Sequence, residues 1–86
     1  MRIVLAEDVK MTRNGILHII EHYTEHEVIG VAENGKQGYM LVKEKQPDLL
    51  ISDIKMSVMD GMEMLQKLYD EKCMVPTILL TGYSDF

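Results

Sequence analysis

Apolar residues fall along this chain in two alternating patterns: short, nearly continuous runs, and longer stretches in which they recur every three or four positions. The first run, Arg2-Ile3-Val4-Leu5-Ala6, stops at Glu7-Asp8. The second, residues 28–32, stops at Glu33-Asn34-Gly35, and the third, 49–52, follows Pro47-Asp48 and ends at Asp53. The fourth covers 75–81 and ends at Gly82. Runs of this length and continuity predict strands covered on both faces. Between them, 10–23 carries a helical stripe of Ile16, Ile19, Ile20 and Tyr23, and 36–46 one of Gly38, Leu41, Val42 and Lys45, closed by Pro47. In 61–72 the stripe is Met62, Leu65, Leu68 and Tyr69. The order β-α-β-α-β-α-β predicts a parallel α/β sheet with right-handed crossovers.

Composition bounds this picture. The chain has 86 residues, 47% hydrophobic and 27% charged, which fits one small domain and neither a disordered segment nor a membrane protein. No apolar run approaches the roughly 18 residues of a membrane span, and no leader precedes the first strand, so a cytoplasmic protein is expected. The single cysteine, Cys73, allows no internal disulfide. Net charge is −5 with scattered cations, which argues against direct nucleic-acid contact.

Candidate chemistry lies where the strands stop. Ligand sites of open parallel sheets lie outside the carboxyl ends of the strands, and there this chain has Glu7-Asp8, Asp53 and Thr81. Three converging carboxylates repel one another and hold protons more tightly, unless a hard cation such as Mg²⁺ offsets their charge. A carboxylate is also a nucleophile toward phosphorus. Helix capping is the alternative for Asp8 and the preferred reading of Asp60, which precedes Gly61.

These residues resemble a known family. The stretch from Ile51 to Gly61, with Asp53 near its start, is similar to the phosphoacceptor segment of bacterial response-regulator receiver domains. Leu5-Ala6-Glu7-Asp8 resembles their acidic pair, and Leu79-Leu80-Thr81-Gly82 their hydroxyl-bearing fourth strand. The resemblance implies a flavodoxin-like, doubly wound parallel sheet. Its strand order would be 2-1-3-4, with the fifth strand and last two helices missing, so that 1–86 is the N-terminal part of the domain. It implies that Asp53 accepts a phosphoryl group from a sensor histidine kinase. Glu7, Asp8, Asp53 and the Lys55 backbone carbonyl would hold Mg²⁺, with Thr81 as the switch hydroxyl. The last six residues resemble regulators with an AraC-type helix-turn-helix output domain, which implies transcription regulation. Two departures stand out: Ser57 replaces the family's usual proline, and the lysine that pairs with the phosphoryl group is missing with the fifth strand.

Two rival functions are a truncated, non-signalling fragment that folds by association and a Mg²⁺-dependent aspartyl phosphohydrolase. The second commonly wants an acid two residues after the nucleophile, where this chain has Lys55. Without a fifth strand, self-association through the exposed fourth strand is expected. His18 and His22 share a helix face but read as a solvated surface among acids. Most of the eight methionines read as core, and Gly30 as a packing or bulge position.

Overall fold

The computed structural model describes residues 1–80. Seven elements follow in order: β1 (Arg2–Ala6), α1 (Lys10–Tyr23), β2 (Glu27–Ala32), α2 (Gly35–Lys45), β3 (Leu49–Asp53), α3 (Gly61–Asp70) and β4 (Thr77–Leu80). All pairings are parallel, in the order β2-β1-β3-β4. The alternation of runs and stripes is thus realised in the predicted order, with ends moved by a few residues. β4 starts at Thr77 rather than 75 because Pro76 has no N–H for the ladder. In β2 the register slips between Ile3 and Val4, which pair with Val28 and Gly30. The residue skipped is Ile29, so Gly30 lies beside the bulge, and it is a packing position, since a Cβ there would lie 3.3 Å from the Leu41 side chain.

Pleating sends alternate residues of the central strands to opposite faces. Val4 and Leu50 join Val42 of α2 and Met64 and Leu68 of α3 in the main core. Ile3 and Leu5 are buried on the other face, where α1 contributes Ile20. That face is covered less completely. Ile78 of β4 is 49% exposed, so coverage on both faces holds for β1 but not for the β4 edge.

Two helical stripes need correction. In α1, Ile19 and Tyr23 are exposed and Ile20 alone is buried. In α3, Met62 and Tyr69 face solvent, whereas Gly61, Met64 and Leu68 face inward. The phase of α3 is set at its start. The Asp60 carboxylate accepts the Glu63 N–H at 2.8 Å, the Glu63 carboxylate accepts the Asp60 N–H at 3.2 Å, and Gly61 seats against β3. The capping reading of Asp60 is therefore correct. Asn34 caps α2 in the same manner, accepting the Gln37 N–H at 2.9 Å. Met1, Met11, Met40, Met62 and Met74 are exposed, so core packing describes Met64, Met56 and Met59 but not most methionines.

The helix ends are closed without glycine. α2 stops at Gln46 in left-handed conformation (φ 47°). Beyond α3, Lys72 (φ 59°) donates to the Tyr69 carbonyl and Cys73 to that of Leu68, the paired bonds of a Schellman turn. On the surface, the Glu71 carboxylate accepts from the Tyr39 hydroxyl and from Lys43 of α2, with Lys67 of α3 at 3.8 Å, and so ties the two helices together.

Candidate functional site

β1 and β3 are neighbours, so residues following each strand meet at the same end of the sheet. Glu7, Asp8 and Asp53 meet there, with one carboxylate oxygen from each lying within 4.8 Å of the others. Glu7 is held from several sides. Its N–H donates to the Ala32 carbonyl at 3.0 Å, and its carboxylate accepts the Val9 N–H at 3.0 Å. It is 3% exposed. Burial pushes its carboxyl above the ordinary carboxylate range; the Val9 N–H works against this, and the charge of Asp53 adds to the rise. Asp8 caps nothing: α1 begins after Val9 without a side-chain hydrogen bond. Of the two readings of Asp8, capping is excluded by this geometry. Asp53 Oδ1 accepts the Ile54 N–H at 2.8 Å, which fixes one carboxylate oxygen and leaves the other for chemistry.

The loop after Asp53 is pinned at both ends by close backbone approach. Gly61 N–H donates to the Ile54 carbonyl at 2.7 Å, and a Cβ on Gly61 would lie 2.3 Å from the Asp53 carbonyl oxygen. Gly35 N–H donates to the Met59 carbonyl at 2.8 Å, where a Cβ would meet that oxygen at 2.0 Å. Within the loop, Met59 N–H bonds the Ser57 carbonyl at 2.7 Å around Val58, whose φ is +68°. That is a γ-turn of the strained, positive-φ kind. Lys55 lies exposed in this loop. Thr81 and the residues that prompted the AraC-type expectation lie outside the described residues.

The donor set fits a hard divalent cation, because all three groups offer carboxylate oxygen and their mutual repulsion is what such an ion relieves. His18 and His22 form no such site: their rings stack 4.2 Å apart on the exposed face of α1. Reading strand ends for acids did not find Arg13, which donates to the Glu7 carbonyl at 2.9 Å. The available signal was a cation one and a half helical turns after an acidic pair. The clamping roles of Gly35 and Gly61 were also not foreseen, since each glycine opens a helix and reads as a turn.

The family model described as the response regulator receiver domain matches residues 3–86. The uncharacterized transcriptional regulatory protein YesN of Bacillus subtilis (strain 168) is 36% identical over 86 residues, which cover 99% of this chain and 23% of YesN. The nitrate/nitrite response regulator protein NarL of Escherichia coli (strain K12) is 38% identical over 69 residues, 80% of this chain and 32% of NarL. This chain therefore spans well under half the length of either relative. A DNA-binding response regulator of the LuxR family from Staphylococcus aureus superposes with a TM-score of 0.87 at 27% identity, over 95% of this chain and 68% of that one. The response regulator domain of Thermotoga maritima CheB gives 0.88 at 23% identity, covering 98% of this chain and 62% of that one, a likeness of fold.

Proposed function

The chain belongs to the response regulator receiver domain family, and from that premise we propose that it is a phosphoacceptor signalling module with Asp53 as the acceptor. The observation that carries this reading is the convergence of Glu7, Asp8 and Asp53 at the carboxyl ends of β1 and β3. The phosphoryl donor is a sensor histidine kinase. The free oxygen of Asp53 attacks phosphorus, an O–P bond forms, and the bond to the donor's imidazole nitrogen breaks. Asp53 Oδ1 stays engaged with the Ile54 N–H, so the carboxylate does not rotate away as the bond forms. Asp8 and Asp53 would hold Mg²⁺ directly, with Glu7 contributing its charge beside them and the Lys55 carbonyl as a further protein donor. Mg²⁺, when bound, supplies the positive charge that lets a phosphoryl group approach three carboxylates. Thr81 is the switch hydroxyl, and the output of the whole protein is control of transcription.

Acetyl phosphate with Mg²⁺, followed by mass spectrometry, tests the acceptor. Label on Asp53 is expected to be slow in this chain and ready in a longer chain from the same reading frame, and lost in Asp53→Asn. No label in either chain would sink the reading; release of free phosphate without label would favour a phosphohydrolase. A second feature is the edge. Among the described residues β4 pairs with β3 alone, Ile78 is half exposed, and an apolar hollow lined by Leu65, Leu68, Tyr69 and Val75 adjoins it. Self-association of the 86-residue chain through β4 follows. Light scattering over a concentration series is expected to show a dimer, and a monomer at all concentrations would remove this reading.

A further inference from the structure

We infer that Arg13 is a positioning residue of the acidic site, holding the Glu7–Asp8 peptide in the orientation that cation binding needs. The inference rests on the metal-site reading above and deepens it. Arg13 lies in α1, its backbone N–H bonded to the Val9 carbonyl at 2.9 Å. Its side chain is only 11% exposed, although arginine ordinarily keeps its head in water. The guanidinium reaches back over the start of the helix and donates through one nitrogen to the Glu7 carbonyl at 2.9 Å. Its other terminal nitrogen lies 3.6 Å from the Glu33 carboxylate, which is exposed. The carbonyl contact is the one that bears on the site. With the Glu7 N–H already on the Ala32 carbonyl, both backbone groups of Glu7 are engaged. The Glu7 carbonyl and the Asp8 nitrogen share one rigid peptide plane, so Arg13 fixes the direction from which the Asp8 side chain departs. Lost outer contacts of this kind typically weaken metal binding about 10–100-fold.

Arg2 supplies the comparison. It too caps backbone carbonyls, those of Lys45 and Gln46 at 3.0 and 3.1 Å, but at the opposite end of β1. Binding of Mn²⁺ as an oxygen-seeking probe, followed by loss of the free-ion electron paramagnetic resonance signal, reads the site without any turnover. Arg13→Met keeps the buried stem and removes every donor, and is expected to weaken Mn²⁺ binding about tenfold. Arg13→Lys restores one donor and should lie within about threefold of wild type on the same scale. Arg2→Ala and Glu33→Gln should stay within about twofold. Unchanged affinity in Arg13→Met, or an equal loss in Arg2→Ala, overturns the positioning role while leaving the metal site standing. Absence of Mn²⁺ binding in the wild type overturns the site itself, and this role with it. Should Arg13→Met fail to fold, Arg13→Leu, which likewise removes every donor, carries the question: binding weakened about tenfold supports the role, and affinity within about twofold of wild type removes it.

Discussion

The two ends of this small sheet are built on opposite electrostatic rules. At the amino ends, Arg2 donates to the last carbonyls of α2, its backbone N–H meets the Asp48 carboxylate at 2.8 Å, and Asp48 returns its own N–H to the Arg2 carbonyl. A cation at a helix C-terminus is favourable in itself. At the carboxyl ends, three carboxylates share a space of 4.8 Å, and the nearby guanidinium of Arg13 is engaged with a carbonyl and with Glu33. One end is closed by complementary charge. The other holds repulsion in reserve for an added cation, the usual relation between a stable scaffold and a strained site.

The strongest way to break the contrast is to spoil the geometry of the carboxyl end. Gly61→Ala places a Cβ 2.3 Å from the Asp53 carbonyl oxygen, a clash with backbone that no rotamer relieves. A loss of about 3 kcal/mol, of the size seen for overpacked sites, is expected in urea denaturation, together with weaker Mn²⁺ binding. Arg2→Ala attacks the other end. It strips two bonds from the end of α2 and should lower stability by about 1–2 kcal/mol without altering the cation site. Asp8→Asn sharpens the comparison by changing sign. In metal-free protein it relieves repulsion and should raise stability by about 0.5–1 kcal/mol, the size of one partly exposed charge interaction; with millimolar Mg²⁺ the order of the two proteins should invert. A lower melting point for metal-free Asp8→Asn would show that the trio is not strained.

Acidity reads the same difference. Glu7 holds its proton more tightly folded than unfolded. Its contribution is therefore fully favourable below the ordinary value of 4.5 and is lost as pH rises through the raised one. Glu71 behaves oppositely, since its hydrogen bonds from Lys43 and Tyr39 depress its pKa, and its contribution is lost as pH falls. Melting curves of metal-free Glu7→Gln and Glu71→Gln across this range should diverge from wild type in opposite directions. The smallest effect belongs to Val58→Gly. Relief of the left-handed valine, set against the greater freedom of the unfolded glycine, leaves a gain of about 0.5 kcal/mol, measurable as a shift in urea midpoint.

The contrast also explains what could be read from the residues alone. The order of elements and the acidic trio follow from local patterns, because runs that stop at acids place those acids at one end of a parallel sheet; the strand order 2-1-3-4 follows from the family resemblance instead. The faces of α1 and α3 follow from neither. Gly61 turns α3 so that Met64 and Leu68 point inward, and that phase is set by a close backbone approach to Asp53, which the spacing of apolar residues does not encode. Ile19 and Tyr23 share a period with Ile20 but lie beyond the reach of the sheet. Arg13 was hidden because its partner is a carbonyl, a group every residue has.

One feature of α1 has a kinetic side. The helix starts after Val9 with no capping side chain and no acid in its first turn, carries Gly15 in open space, and buries only Ile20. Its opening free energy should be well below that of the sheet, so its amides should exchange with deuterium by local detachment rather than global unfolding. Arg13 travels with it. Each excursion of α1 releases the Glu7 carbonyl, and a cation that favours the docked helix must, by the same linkage, slow exchange along 10–23 while leaving β1 and β3 at their own pace. In that sense α1 is a latch whose dwell time the acidic site sets.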